Sequence, residues 1–380
     1  MNIVIDENII FAKEAFSGLG DVKLYNGRDI TNSVLKDTDV LLVRSITNVN
    51  ADLLHGTKVK FVGTATIGTD HIDIEYLNSK NIFFSDAKGC NSDAVAEYVY
   101  TALFNIAHDK GFQLKGKSIG VVGVGNIGSR IVRYAKVLGM EALQNDPPLK
   151  RKTGDNHFLE LNKLMNADIL TFHVPLNLDG DDSTYHLFDY NKLNALKDGA
   201  IIINASRGPV VENNALNSLI EKKKLTAVLD VWEEEPDINA ELLKKIKYGT
   251  PHIAGYSFEG KINGTVILYN ALCGFLNKEN SWVPVIPAAE NPGINLSGNS
   301  DTGASLFKAA EHIYSISKDD KTLRGILSAD NGGKYFDTLR KKYNLRREFN
   351  NFNVEIAPHD KVLKEIFKSF RFKVGSNSLI

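Results

Sequence analysis

Residues 118–130, "SIGVVGVGNIGSR", decide the fold of this chain. They begin as a β-branched apolar run and continue through Gly123, Gly125 and Gly128, which are spaced as G-x-G-x-x-G. A segment with helical periodicity follows directly, so the glycines lie where a strand turns into a helix. Glycines at such a turn allow a tight bend and let backbone N–H groups approach a pyrophosphate at the helix N-terminus. The motif in this context predicts a dinucleotide-binding Rossmann domain.

The next predicted strand, "EALQND", ends in Asp146. An acid about 20 residues beyond the glycines binds the adenosine ribose hydroxyls and repels a 2′-phosphate, which favours NAD over NADP. The basic run at 150–152 leaves an alternative open, because it could bind that extra phosphate rather than form a solvated surface turn. NAD is the expected cofactor, with Asn126 and Ile127 of the glycine turn beside it.

The same alternation of apolar runs and amphipathic segments extends over roughly the first 260 residues, which is typical of βαβ units. Two series of such runs flank a long helical stretch that starts at Ser92, and a second helical stretch covers Phe258 to Phe275. We expect an α/β fold of two Rossmann or flavodoxin-like, doubly wound parallel-sheet lobes with a small C-terminal α+β dimerisation domain. The predicted domains are a substrate-binding lobe at 1–92 completed by 258–282, an NAD-binding domain at 93–257, a Pro- and Gly-rich linker at 283–303, and the C-terminal domain at 304–380.

Composition excludes several classes of function. The 380 residues carry 45 basic and 46 acidic side chains, so nothing favours nucleic acid or an anionic membrane as a partner. The two cysteines, Cys90 and Cys273, lack metal-ligand spacing, and a reduced compartment is the simplest interpretation. Acidic residues stand where a secretory signal would be basic, and apolar runs are too short to span a membrane. We expect a cytoplasmic protein with no bound metal.

Three charged residues follow the glycine turn in order: Arg207 in "NASRGPVV", Glu235 in "LDVWEEEP" and His252 in "TPHIAGY". Oxidation of a 2-hydroxy acid by a nicotinamide requires these side chains. An Arg fork binds the carboxylate, and a His base takes the hydroxyl proton. An anion orients that His and stabilises its charged form. The trio therefore predicts a hydroxyacid dehydrogenase.

Alternatives to this trio remain open within the sequence. Glu233 or Glu234 could replace the third glutamate of "EEEP" as the partner of the histidine. His71 and His173 are further candidate bases, although a structural role is favoured for both because neither has an arginine and an acid in the same register. Cys90 is interpreted as a packing residue.

The strings "NASRGPVVENNAL", "LTAVLDVWEEEP" and "GTPHIAGYSFEGK" resemble the D-isomer-specific 2-hydroxyacid dehydrogenase family, and the resemblance covers nearly the whole chain. It implies that Arg207 binds the substrate carboxylate, that His252 is the acid/base and that Glu235 is its partner. It also implies a homodimer assembled through the C-terminal region. The other positions that it assigns are Val174, Pro175, Ala205, Ser206, Asp230 and Gly255 for the cofactor, and Ser45, Thr66 and Tyr256 for the substrate.

The resemblance also implies a small phosphorylated 2-hydroxy acid as the substrate, and a chain of nearly zero net charge needs a local cation to bind its phosphate. Arg44 is one candidate, and the pair Arg346 and Arg347 near the C-terminus is another. Two other functions remain: a different 2-hydroxyacid dehydrogenase such as 3-phosphoglycerate dehydrogenase, or an NAD-sensing binding protein on the same fold.

Overall fold

The structure is a computed structural model that describes residues 1–298 and 301–375. Residues 299–300 of the predicted linker and 376–380 of the predicted C-terminal domain therefore lie outside the described residues. The described chain divides into two compact units, Met1–Asn91 with Ser257–Pro287, and Ser92–Tyr256 with the described residues from Ala288 onward.

The first 91 residues form an α/β layer whose elements in chain order are β1 (Asn2–Asp6), α1 (Ala12–Phe16), β2 (Asp21–Tyr25), β3 (Val40–Val43), α2 (Ala51–Leu54), β4 (Phe61–Thr64), α3 (Ile74–Ser79) and β5 (Phe83–Asp86). The strands pair in parallel in the order β2-β1-β3-β4-β5. Every residue of β3 and β4 is buried, as expected for central strands covered on both faces. β2 is an edge strand with a largely exposed sequence.

The second unit begins with α4 (Ser92–Lys110), β6 (Ser118–Val122), α5 (Gly128–Val137), β7 (Glu141–Asn145), α6 (Pro147–Thr153), β8 (Ile169–Phe172), α7 (Tyr190–Ala195), β9 (Ile201–Asn204), α8 (Asn213–Leu219), β10 (Thr226–Leu229), α9 (Ala240–Lys245) and β11 (Tyr248–Gly249). Its six strands are parallel in the order β11-β10-β9-β8-β6-β7. The chain runs outward in both directions from β6 and β8. The carboxyl ends on either side of that switch point are where ligands bind in such sheets.

The helix α10 (Phe258–Phe275) belongs to the first unit and confirms the helix predicted at these residues. The Ser257 side chain caps it by accepting the N–H of Gly260. Leu268 and Leu272 on its inner face pack with Phe61 of β4 in one buried cluster. The return of the chain to the first sheet therefore rests on an apolar helix face.

The C-terminal region contains β12 (Gly293–Asn295), α11 (Thr302–Ile313), α12 (Ile316–Leu323), α13 (Gly332–Lys341), β13 (Asn353–Glu355), α14 (Lys361–Ser369) and β14 (Lys373–Gly375). Its three strands form a parallel sheet in the order β12-β13-β14. β12 lies inside the segment predicted as linker, and its Ile294 is buried. Phe370 stacks on Tyr134 of α5 at a ring-centroid distance of 4.3 Å, so this region shares a core with the six-stranded sheet unit.

Residues 1–298 and 301–375 lack two kinds of feature. No helix there has the length and apolar character that crossing a membrane requires. The same residues contain no group of three His, Cys, Asp or Glu side chains that could hold a metal ion.

Candidate active site

The three glycines of the turn after β6 have different structural roles. Gly123 has a φ of 85°, and a Cβ there would lie 2.5 Å from the carbonyl oxygen of His173. A Cβ on Gly128 would lie 2.0 Å from the carbonyl oxygen of Gly123. A Cβ on Gly125 would meet no heavy atom within 4 Å, so this position is open at the start of α5. The turn therefore packs through its first and third glycines and leaves the second accessible, which fits a pyrophosphate.

Asp146 connects the end of β7 to this turn. Its Oδ2 accepts the N–H of Val124 at 2.8 Å, and its Oδ1 caps α6 by accepting the N–H of Leu149 at 2.9 Å. A carboxylate has further lone pairs beyond these two bonds, so the group can still accept ribose hydroxyls. Asn126 is exposed and Ile127 is half-buried immediately before α5.

Two of the three basic residues at 150–152 form ion pairs. The Lys150 ammonium lies 2.9 Å from Glu160, and Arg151 donates to Asp182. These contacts favour a charged surface turn over a second phosphate site, and they agree with an acid at the ribose position.

Two further strand ends carry the other predicted cofactor residues. Val174 and Pro175 follow β8. A Cβ added to Gly123 would lie 2.8 Å from a Cγ of Val174, so Val174 packs against the glycine turn. Ala205 and Ser206 follow β9, and the Ser206 hydroxyl donates to Asn204 at 2.9 Å. All four therefore lie at the carboxyl edge of the sheet that carries the glycine turn.

Arg207 is half-buried one residue further on and donates to the Ser206 carbonyl at 2.8 Å. Its own carbonyl accepts the Asn204 side-chain amide at 2.9 Å. A Cβ on Gly208 would lie 1.8 Å from the carbonyl oxygen of Trp232, so the arginine turn packs directly on the loop after β10. Gly208 is a positioning residue that the sequence analysis missed, although its place in "SRGP" could have indicated it.

His252 and Glu235 form a hydrogen-bonded pair with 2.8 Å between Nδ1 and Oε2. The second oxygen, Oε1, accepts the N–H of Trp232 at 2.8 Å, which fixes the carboxylate. Burial acts to raise the pKa of the Glu235 carboxyl, but the facing histidine and the Trp232 N–H hold it below its usual range. The pair thus combines an ionised carboxylate with an imidazole whose side chain is 33% exposed.

The other two glutamates of "EEEP" have different surroundings. Glu233 bonds to His186 and accepts the N–H of Asn213 at 2.7 Å, whereas Glu234 is exposed. The geometry therefore selects Glu235 from the three candidates as the partner of the histidine.

Asp230 holds the turn on which the histidine lies. Its buried carboxylate accepts the Thr250 hydroxyl at 2.6 Å and the N–H groups of Ile253 and Ala254 at 2.7 and 2.9 Å. His252 adopts a left-handed backbone conformation with a φ of 56°. A non-glycine residue keeps such a conformation only where its surroundings hold it, and the three bonds to Asp230 do so.

Gly255 and Tyr256 follow this turn and are half-buried. The Tyr256 hydroxyl accepts an N–H of Arg340 at 3.3 Å, and its ring meets Tyr343 edge to face at 6.0 Å. Arg340 lies in the last turn of α13 and was not among the residues predicted from the sequence.

The two arginines predicted to bind phosphate from the C-terminal region have other partners. Arg346 is buried and donates to the carbonyl oxygens of Ile253 at 3.1 Å and of Ala254. Arg347 donates to Asn351 at 2.8 Å. The guanidinium of Arg346 thus anchors the C-terminal region to the His252 segment, and this argues against the phosphate role predicted for it.

In the first unit, Arg44 and Ser45 follow β3 and Thr66 follows the adjacent β4. Ser45 is exposed, and the Thr66 hydroxyl donates to the Gly68 carbonyl at 2.8 Å. Burial and the charge of Arg44 lower the pKa of Lys261 to about 8. Lys261 is a second cation beside Arg44 and was not among the residues predicted from the sequence.

The two alternative candidate bases, His71 and His173, have structural surroundings. Burial lowers the pKa of His173 to about 3, and its Nε2 lies 2.9 Å from the Thr171 hydroxyl. His71 lies 3.0 Å from the Thr64 hydroxyl. Both contacts agree with the structural role that the sequence favoured.

An open glycine turn, an acid at the end of the neighbouring strand, and an Arg and a His–Glu pair at β9 to β11 define the class of nicotinamide-dependent 2-hydroxyacid dehydrogenases. Residues 93–254 match the family model described as D-isomer specific 2-hydroxyacid dehydrogenase, NAD binding domain. Residues 285–367 match a model described as a domain of unknown function (DUF3410).

Two curated relatives cover almost the whole chain. The erythronate-4-phosphate dehydrogenase of Proteus mirabilis is 46% identical over 358 residues, which are 93% of this chain and 94% of that protein. The enzyme of the same name from Yersinia enterocolitica is 45% identical over 359 residues, 93% of this chain and 95% of that protein. This chain belongs to the erythronate-4-phosphate dehydrogenase family.

Solved structures share the fold over about three quarters of the chain. D-lactate dehydrogenase from Aquifex aeolicus, complexed with NAD and lactic acid, has a TM-score of 0.60 at 24% identity and covers 73% of this chain and 96% of its own. The 3-phosphoglycerate dehydrogenase of Entamoeba histolytica has a TM-score of 0.62 at 24% identity and covers 73% and 95%. These structures confirm the predicted α/β fold class. The curated relatives confirm the family resemblance, and the family model confirms the NAD-binding domain.

Proposed function

We propose that this protein oxidises 4-phospho-D-erythronate with NAD to (R)-3-hydroxy-2-oxo-4-phosphooxybutanoate, a step of pyridoxal 5′-phosphate (vitamin B6) biosynthesis. The observation that carries the proposal is the 2.8 Å bond from His252 to Glu235. The substrate is taken from the relative in Proteus mirabilis, which is named erythronate-4-phosphate dehydrogenase and is 46% identical over 93% of this chain.

His252 acts as the acid/base. Its Nδ1 is directed at the Glu235 carboxylate, so the neutral ring donates a proton there and keeps the lone pair of Nε2 for the substrate. Nε2 accepts the proton of the C2 hydroxyl, and the ionised Glu235 stabilises the positive charge that then forms on the ring. In the reverse direction the same Nε2 returns the proton.

Arg207 binds the C1 carboxylate. Its guanidinium is held at the end of β9 by the bond to the Ser206 carbonyl, next to the loop that carries the glutamate. A planar fork of N–H donors matches a carboxylate in a bidentate manner and polarises the adjacent C2 oxygen as its bond order rises.

The nicotinamide ring of NAD would accept the hydride that leaves C2. The open Gly125 position and the N-terminus of α5 would hold its pyrophosphate, and Asp146 would accept the ribose hydroxyls. The positions proposed to complete this site are Asn126, Ile127, Val174, Pro175, Ala205, Ser206, Asp230 and Gly255.

Ser45, Thr66 and Tyr256 are proposed to contact the substrate, and Arg44 and Arg347 remain candidates for its phosphate. A homodimer and a cytoplasmic location also stay predictions. Light scattering coupled to gel filtration would measure the mass of the particle, and cell fractionation would locate it.

The deciding experiment is NAD-coupled turnover of 4-phospho-D-erythronate beside 3-phospho-D-glycerate, D-lactate and D-erythronate, with a 2-keto acid present to recycle retained NADH. We expect a strong preference for the first substrate. His252→Asn should abolish turnover, and His55→Asn, at an exposed histidine, should leave it unchanged. Preference for phosphoglycerate, or NAD binding without turnover of any of the four acids, would contradict the proposal.

A further inference from the structure

Arg340 is an unusual cation in this structure. The side chain belongs to the C-terminal region, yet one of its amino groups lies 3.3 Å from the hydroxyl of Tyr256, four residues after His252. The guanidinium carbon lies 6.0 Å from the centre of the same ring. Its Nε is buried and has no hydrogen-bond partner within residues 1–298 and 301–375. The C-terminal region therefore brings a positive charge to the catalytic histidine's own segment.

The helix that carries this arginine is fixed against the catalytic loop at several points. A Cβ on Gly333, in the first turn of α13, would lie 2.7 Å from a carboxylate oxygen of Asp237 and 3.3 Å from Pro236. Phe336, in the middle of the helix, is fully buried in the cluster that contains Trp232. Contacts at its start and its middle thus determine where the last turn of α13 places Arg340.

The carboxylates that act on Arg340 are already bound to other groups. Glu235 and Asp230 both favour its charged form, but the first is bonded to His252 and the Trp232 N–H. Asp230 accepts three bonds from the 250–254 turn. The guanidinium itself donates to the phenol hydroxyl of Tyr256, a group without the negative charge of a carboxylate. A buried guanidinium N–H without an acceptor is unfavourable, and an anion is the strongest acceptor that could complete its bonds.

We propose that Arg340 determines specificity for the phosphorylated substrate by binding its distal phosphate through the unpaired Nε–H and a terminal amino group. This proposal rests on the proposed function and deepens it. The acid has a carboxylate at C1 and a dianionic group at C4, so a second cation besides Arg207 is required. A guanidinium presents two parallel N–H donors to a phosphate, which a neutral hydroxyl at C4 cannot use in the same way.

The test compares Arg340→Met with Lys341→Met. Lys341 follows directly on the same helix and is exposed, so its replacement removes an equal charge away from the site. We expect Arg340→Met to lower kcat/KM for 4-phospho-D-erythronate by about 10- to 150-fold, as loss of a charged hydrogen bond does. In the same variant, kcat/KM for D-erythronate should change less than about threefold. Lys341→Met should leave kcat/KM for both substrates unchanged.

A second readout uses inorganic phosphate as the probe. Phosphate should inhibit the turnover of D-erythronate by the wild-type enzyme. Arg340→Met should raise the inhibition constant of phosphate at least about tenfold. Arg340→Lys keeps the charge but loses the planar fork, so we expect a smaller loss that is still confined to phosphorylated ligands. This milder variant serves if the methionine variant does not fold, with thermal melting and NADH fluorescence as folding controls.

Different failures point to different errors. Equal losses for both acids would overturn the assignment, because they would show that Arg340 acts on the His252–Glu235 pair or on stability. A wild-type preference for the phosphorylated acid that both Arg340 variants retain would also overturn it and leave the proposed function intact. A wild-type enzyme that turns over the two acids equally would overturn the inference and the proposed function together.

Discussion

Replacing Glu235 with Gln tests the central pair with the smallest possible change. The amide has the shape of the carboxylate, so its oxygen can keep the 2.8 Å bond to the Trp232 N–H. Its NH2 group then faces Nδ1 of His252, where the carboxylate accepts a bond at 2.8 Å in the wild type. Two donors cannot share that contact, so the ring proton moves to Nε2 and removes the base from the substrate side.

The magnitude follows from the bond that is lost. A hydrogen bond to a charged group contributes about 1.5–3 kcal/mol. At 1.36 kcal/mol per tenfold change in rate, its loss lowers kcat/KM by about 10- to 150-fold. The unfavourable tautomer adds to that loss. Most of the decrease should be in kcat, because the carboxylate stabilises a charge that forms only as the proton is transferred.

The assay is NAD-coupled oxidation of 4-phospho-D-erythronate, with NADH binding measured separately by fluorescence. Glu234→Gln is the matched control, since it makes the same chemical change at the exposed neighbouring residue. A loss below about threefold for Glu235→Gln would refute the reasoning, and so would an equal loss in the control, because a charged hydrogen bond is worth more than that.

Three further predictions concern the cofactor turn, the half-buried Lys261 and the C-terminal anchor. Gly125→Ala should weaken NADH binding without lowering the melting temperature, because its Cβ enters open space, whereas Gly128→Ala should lower both, because its Cβ would lie 2.0 Å from a backbone oxygen. The Lys261 pKa is lowered from 10.5 to about 8 by burial and by Arg44, so the unfolded chain holds the extra proton between these pH values. The free energy of unfolding in urea should therefore rise between pH 7.5 and 9.5 by about 2 kcal/mol from this group, and Lys261→Met should remove that rise. Arg346→Met should lower the free energy of unfolding by about 3 kcal/mol and leave the preference for phosphorylated substrate unchanged, and a selective loss of that preference would restore the phosphate role predicted for Arg346.

Much of the fold can be predicted from local patterns. The runs that become β6 and β8 to β10 are rich in β-branched residues because both of their faces are covered, and such runs are visible without a structure. The glycine spacing indicates the strand-to-helix turn for the same reason, since only glycine tolerates the contacts found at Gly123 and Gly128.

Strands that lack such a run cannot be predicted in this way. β2 is a half-exposed edge strand of mixed composition, and β12 is three residues long inside a Pro- and Gly-rich segment. β12 exists because it pairs with β13, about 60 residues further along the chain. Pairing over such a distance leaves no periodic signal in the short strand itself.

The sequence by itself determined which kinds of side chain the site contains, because strand ends can be found from the apolar runs before them, and Arg207 and Glu235 follow two such runs. His252 was predicted from its place after them in the chain. Only the tertiary structure decided which of three consecutive glutamates meets the histidine. It also decided that Arg346 bonds to backbone carbonyls while Arg340 meets Tyr256. Neighbouring residues of the same type have the same local propensity. The choice between them depends on contacts with distant segments, such as α13 packed against the loop after β10, and it is made only when the chain folds.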